Sequence, residues 1–453
     1  MAFHPYRPVD PRRFPFYYGW VILCASTVGM FAAVPGSPPG MSPFLEPMLD
    51  AYGVRRGEIT FAYMLGTIAA GVATWKFGSL FDSVDSRALG TFAFFAVGIA
   101  LIFTGLGNEV YTALLPEGRT STPLALLFLT GSFFMLRLFG LGIMMTVARS
   151  MIVRWFSRHR SIAVAVNSIA MSLTFSSAPV LVFFLVNWTG WQWAWISMGL
   201  FFATVMTTFA FLFFRHSPER AGVPLESSSP DPPPSKTPGM SPRPRGEAHF
   251  PVYRDFTPRE AVRTLTFWIF IAGIAFNGLI GTGIVINLVA FGTEQGLTES
   301  QALALLLPSA IFNILTTLLL GFTAHRIDLR WVLLAMLLGI LIEVGSATQL
   351  ATLPGMIGFA VGGGIAWGCF GMLINLPWPR YFGSRHIGGI NGYVTAFTIV
   401  ASATGPFLFG WIRDATGSFD LAIQGCFFIL PLLFFGCLNA KNPQSAYSPS
   451  RSG

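Results

Sequence analysis

Arg137 stands alone in an apolar stretch, 123–148, about 14 residues from where that stretch begins. At 1.5 Å per residue this is roughly 20 Å of depth. A guanidinium so far from a headgroup must face protein or water. It can grip an anion through its two-point fork, steer a proton, or bond backbone carbonyls between helices, and the residue type leaves all three open. Glu343 lies midway along another apolar stretch, 331–350, and is the one acid clearly inside such a segment; no histidine sits near it at ligand spacing. Metal or acid–base catalysis needs His, Asp or Glu in clusters. Their absence argues against an enzyme and against any metal or cofactor. Gly362-Gly363-Gly364 follows no strand and precedes no lysine, so it is no phosphate loop; it fits a close helix crossing or a bend. Tyr63, Asn277, Asn313, Trp367, Asn391 and Tyr393, with Asn287, are further candidates to line a site. Each is equally able to bond one helix to another in lipid.

Two loops repeat. Gly78, Asp85 and Arg87 recur as Gly321, Asp328 and Arg330 at the same offsets. Arg154-Trp-Phe156 has a counterpart in Arg380-Tyr-Phe382, and Pro179 in Pro406. Such internal duplication at matching topological positions is the mark of alternating-access carriers.

The elements that must hold these residues are membrane helices. Of 453 residues 53% are hydrophobic and 11% charged, where soluble domains carry about 25% charged residues. Spans of roughly 20 apolar residues are expected near 16–34, 59–77, 88–107, 123–148, 161–187 and 191–214. A second six are expected near 265–291, 301–322, 331–350, 355–378, 388–412 and 420–438. The first stretch is taken as a span and not as a cleaved signal, which would break the six-plus-six pattern. Pro35-Gly36-Ser37-Pro38-Pro39-Gly40 breaks span one, either as an irregular stretch that shapes an outer mouth or as a simple end to the helix followed by a loop. Of the 28 Lys and Arg residues, only Arg55, Arg56, Arg119 and Arg413 fall in outer loops when the N-terminus is inside, and Arg137 lies within a span. This asymmetry places both termini and the linker in the cytoplasm. Attraction to anionic lipid accounts for the net charge of +8 without nucleic acid. The linker, with its Pro- and Ser-rich middle, is expected to be partly disordered. The four cysteines read as small buried hydrophobes, and Trp188, Trp191, Trp193 and Trp195 as interfacial anchors.

Gly78…Asp82…Arg87 resembles the signature that major facilitator proteins carry between their second and third helices, and Gly321…Arg326…Arg330 its second-half copy. The match departs at Ser83, where a basic residue is usual, at Asp85 and Asp328, which replace a glycine, and at His325, which replaces the aspartate. Arg137-Leu-Phe-Gly140-Leu-Gly142 resembles the fourth-helix signature. Phe16–Trp20, Arg154–Phe156 and Gly405…Ser418 are similar to stretches in bacterial monocarboxylate and oxalate/formate carriers.

The resemblance implies an all-α membrane fold of twelve transmembrane helices in two six-helix bundles, 1–214 and 264–440, with a cytoplasmic linker 215–263 and tail 441–453. It implies a secondary active or facilitative transporter of a small organic anion, working as a monomer in the plasma membrane (the inner membrane of a bacterium). The substrate would meet Arg137, Tyr63, Asn277, Asn313, Trp367, Asn391 and Tyr393. Gly78, Asp82, Arg87, Gly321, Arg326 and Arg330 would gate, and Glu343 would sit on a supporting helix. An efflux carrier for amphipathic solutes, or a non-transporting receptor or scaffold, remain as alternatives. A soluble receptor domain has no room in the chain outside the linker.

Overall fold

A computed structural model of the chain describes residues 9–116, 120–156, 159–223, 252–323, 326–383 and 385–447, apart from the side chains of 77–83, 160 and 161. The chain divides into two compact units, Met1–Pro232 and Pro233–Gly453. The first holds α1 (Gly19–Tyr52), α2 (Arg56–Ser83), α3 (Ser86–Ala113), α4 (Thr122–Trp155), α5 (Arg160–Thr189) and α6 (Trp191–Phe213). The second holds α7 (Leu265–Ile286), α8 (Glu299–Thr323), α9 (Leu329–Ala347), α10 (Leu353–Leu373), α11 (Ile387–Thr416) and α12 (Asp420–Asn439). Eleven of these are long and apolar enough to cross a membrane; α2, with 28 residues, is the twelfth. No strand occurs among the described residues. In lipid the backbone must satisfy itself, and a helix does so within one segment.

The duplicated loops become duplicated helix starts. Asp85 caps α3 by accepting the Arg87 backbone N–H at 2.8 Å. Asp328 caps α9 by accepting the Arg330 N–H at 3.2 Å. A short carboxylate at that place satisfies an orphan donor and favours the positive end of the helix dipole. Pro179 and Pro406 both lie inside their helices, α5 and α11.

Three expectations need correction. Span one does not end at 34. α1 continues to Tyr52, and the Pro-Gly stretch is a break within it. The helix tightens at Met30–Ala33 and restarts at Pro38, with Ser37 accepting the Gly40 N–H at 3.3 Å. Proline in the first turn has no donor to waste, which is why the chain can resume there. Trp195 is no anchor: it is fully buried and stacked on Phe44 with centroids 3.9 Å apart. Trp188 and Trp193 are exposed, as anchors should be. Cys24 is exposed, while Cys369, Cys426 and Cys437 are buried.

Small residues set the closest crossings. A methyl at Gly362 would strike the Glu343 backbone of α9, and one at Gly364 would lie 2.9 Å from the Asn313 nitrogen of α8. The glycine run thus lets α10 meet two neighbours at once. Gly321 is different, with open space around it; close packing does not explain its repetition of Gly78.

Candidate functional site

Arg137 ends the regular first half of α4 and begins a π-helical segment, Arg137–Met144. Such i→i+5 insertions are rare, and they recur at functional places. Its guanidinium donates to the Tyr63 hydroxyl of α2 and lies 4.6 Å from the centre of the same ring. The approach of the two helices is fixed by Gly66, where a methyl would fall 2.8 Å from the Phe134 nitrogen. Tyr63 is buried and held edge-on by Phe133 at 5.3 Å. On the other side of α4, the α1 break closes in: a methyl at Gly36 would reach the Leu136 carbonyl at 2.9 Å. The irregular stretches of α1 and α4 are therefore packed on each other, beside the arginine.

No ion pair forms at Arg137 among the described residues, and its Nε, shielded from solvent, has no hydrogen-bond partner. One turn along α2 from Tyr63, the Thr67 hydroxyl is likewise buried and unpartnered. Sequence reasoning missed Thr67; its i+4 spacing from Tyr63 was the available signal.

The candidates of the second unit are spread over α7, α8, α10 and α11. Asn277, on α7, is buried, and its amide nitrogen has no partner. One turn on, Gly281 makes room for the Trp367 ring of α10, which also packs edge-on to Phe370 at 5.3 Å. Asn313 accepts from Thr317 at 3.3 Å on α8. Asn391 has an unpartnered, shielded Oδ1 near the start of α11. Tyr393 is 44% exposed and packs against Phe267 at 6.2 Å. Asn287 donates to the Gly283 carbonyl at 2.9 Å, a local helix-end bond. Glu343 is buried with its carboxylate against Gly363 of α10; no cation pairs with it among the described residues.

The profile of the Major Facilitator Superfamily matches residues 20–380. The chain belongs to that superfamily. Among solved facilitator structures it is similar to a bacterial homologue of the human lysosomal transporter Spinster, inward-facing and unoccupied. There the identity is 14%, over 95% of this chain and 93% of that one, with a TM-score of 0.61. It is also similar to a point mutant of the nucleoside transporter NupG, at 11% identity over 92% and 99% of the two chains and a TM-score of 0.67. At such identities the likeness speaks for the fold alone. No curated protein sequence matches significantly. The superfamily places this protein among membrane transporters, multi-pass and lipid-embedded, with small-molecule substrates, and not among enzymes.

The facilitator loops are partly visible. Gly78 lies within α2, while the Asp82 side chain and His325 lie outside the described residues. Arg87 is buried; its Nε donates to the Phe211 carbonyl at 2.7 Å and its Cζ lies 4.3 Å from the Phe211 ring centre. Arg330 stays near the Asp328 carboxylate at 3.4 Å, and Tyr381 donates to the same group at 2.6 Å. Arg380 donates to the Ile327 carbonyl at 2.9 Å. Arg326 is exposed.

Proposed function

We propose that this facilitator is a secondary carrier that moves a small organic anion, a monocarboxylate or dicarboxylate, by alternating access. One observation carries the reading: Arg137, deep in its span, is bonded by a neutral tyrosine and by no carboxylate among the described residues. An arginine at a helix centre costs roughly 2.5–3.5 kcal/mol on insertion scales, and an aromatic face with one hydroxyl recovers only part of that. A ligand carboxylate would supply the missing countercharge and match the fork in two-point geometry. Tyr63 then positions the guanidinium, and the free Nε and the Thr67 hydroxyl offer further contacts. In the second unit, the unpartnered Asn277 amide is the candidate best suited to meet a substrate oxygen. Asn313, Trp367, Asn391 and Tyr393 are assigned to the substrate path with it.

The same reading assigns Gly78, Asp82, Arg87, Gly321, Arg326 and Arg330 to the gate. It takes 1–214 and 264–440 as the bundles, 215–263 as linker, and puts both termini on the cytoplasmic side of the plasma membrane in a functional monomer. Reporter fusions after Ser229 and Gly453 test the orientation; an external signal at either refutes it.

The substrate class is tested by thermal shift of purified protein with lactate, oxalate and succinate, alongside neutral and cationic amphipathic solutes. Ligands that bind the folded state raise the melting temperature by mass action. Carboxylates should stabilise the wild type, stabilise Arg137→Lys less, and leave Arg137→Gln unmoved although it still inserts. Carboxylate binding that survives in Arg137→Gln makes the arginine structural. Stabilisation by amphipathic cations alone turns the assignment to efflux of drug-like solutes.

A further inference from the structure

The π-helical segment changes which residues of α4 share a face. In a straight α-helix Arg149, twelve residues after Arg137, would point about 120° away from it. Through eight residues of π-helix each step turns only roughly 80°, since the bond skips one residue more. The two arginines then fall within about 40° of one another. Burial along α4 bears this out. Phe134, Arg137, Leu141 and Thr146 are half-buried and Arg149 and Val153 are exposed, whereas Leu136, Gly140, Met144, Val147, Ala148, Met151 and Ile152 are buried. The least buried face of α4 within its own bundle runs from Arg137 through Arg149.

Arg149 falls one residue past the expected fourth span, 123–148. It lies inside α4, which continues to Trp155, and among the described residues it has neither an ion pair nor a hydrogen bond. Among the described acids of α1, α2 and α3, Glu46, Glu58 and Asp85 are engaged by Arg56, Arg55 and the Arg87 backbone respectively, and none pairs with Arg149; the Asp82 side chain lies outside the described residues. A second free guanidinium is thus carried on the same open face, about 15–18 Å further along the axis.

We propose that Arg149 is a second anion-contact station, which draws an anionic solute along the exposed face of α4 between the Trp155 end and Arg137. The π segment is the device that brings the two into line. Two like charges on one low-dielectric wall raise the local concentration of anions, by tenfold or more in favourable clefts. Neither pairs with an acid among the described residues, so each can exchange partners. This inference rests on the anion reading of Arg137.

The test needs no substrate. In a background without native cysteines, in nanodiscs of zwitterionic lipid, Val153→Cys is placed one turn from Arg149 on the same face. Its reaction is timed with an anionic and a cationic methanethiosulfonate. With each rate divided by that reagent's rate with a small free thiol, the anionic reagent should be favoured about tenfold, and Arg149→Gln should bring this normalised ratio close to one. A cysteine that neither charged reagent reaches would mean that this face meets lipid, with Arg149 reaching to headgroups, and would overturn the proposal. So would a ratio that ignores Arg149. Anionic lipid that abolishes the preference would identify a headgroup site in place of a solute path. Thr146→Cys, one turn to the other side, gives a second reporter should Val153→Cys fail to accumulate. Failure here leaves the carboxylate assay at Arg137 untouched.

Discussion

The side chain of Gln444, beyond the end of α12, donates to the backbone carbonyl of Tyr381, beyond the end of α10, at 2.9 Å. The same amide donates to the Arg254 carbonyl and accepts the N–H groups of Tyr253 and Arg254. One buried glutamine therefore ties the chain entering the second unit to the chain leaving it. In the first unit the Arg215 guanidinium donates to the Val9 carbonyl at 2.6 Å, and Trp155 Nε1 donates to the Arg215 carbonyl at 3.2 Å. Each bundle closes its own ends in the same way, with different residues.

Gln444→Leu should keep the volume and lose all four bonds. Buried groups left unpaired cost about 1–3 kcal/mol each, so the entering segment should come away rather than stay docked dry. Trypsin should then cut after Arg254, Arg259 or Arg263 roughly tenfold faster than in the wild type, which corresponds to about 1.4 kcal/mol of docking. An unchanged cleavage rate would show that the other contacts hold the segment by themselves.

His216 should make the first bundle sensitive to acid. Its Nδ1 accepts the Ser86 backbone N–H at 3.2 Å, and Arg154 approaches both ring nitrogens at 3.0 Å. Burial, then Arg154 and Arg220, lower its pKa from the ordinary 6.5, against Asp85 and Glu219, which raise it. The unfolded chain therefore takes up the proton first. The stabilisation is complete above pH 6.5 and declines as the pH falls below it. The melting temperature of the wild type should exceed that of His216→Gln at pH 7.5, and the gap should narrow by pH 5. A gap that does not change with pH would assign the residue to packing alone.

Tyr63→Phe removes the hydroxyl that Arg137 bonds and keeps the ring beneath it. A hydrogen bond to a charged group is worth about 1.5–3 kcal/mol, so folding stability should fall by that order. Carboxylate binding should weaken without vanishing, because the fork loses its orientation and not its charge. Wild-type affinity in a destabilised Tyr63→Phe would separate the pair's structural role from any role in binding.

Gly364→Ala and Gly371→Ala, two turns apart on α10, should behave oppositely. The first drives a methyl against the backbone of Ser309 and Asn313, and the second meets nothing within 4 Å. Overpacking costs about 1–3 kcal/mol, so Gly364→Ala should melt lower or accumulate less, while Gly371→Ala should match the wild type. Equal melting temperatures would mean that α8 and α10 can part at little expense.

Composition and hydrophobic run length were enough to specify twelve membrane helices, because lipid leaves a chain no other way to satisfy its backbone locally. The duplication was legible for a related reason: Asp85 and Asp328 are helix caps, and a cap is a contact between residues two apart, written in the sequence itself. Arg137 also declared itself, by its cost at that depth. What the sequence could not state is everything set by packing across helices. Nothing in Met30–Gly40 distinguishes a helix end from a break inside a longer span, since the outcome depends on the α4 backbone that receives it. Trp195 has the composition of an anchor and the position of a core residue, because Phe44, about 150 residues away, offers it a face. The π segment of α4 has no sequence marker of its own; it appears where α1 and α2 both press on one stretch of helix, and it alone brings Arg149 round to the side of Arg137.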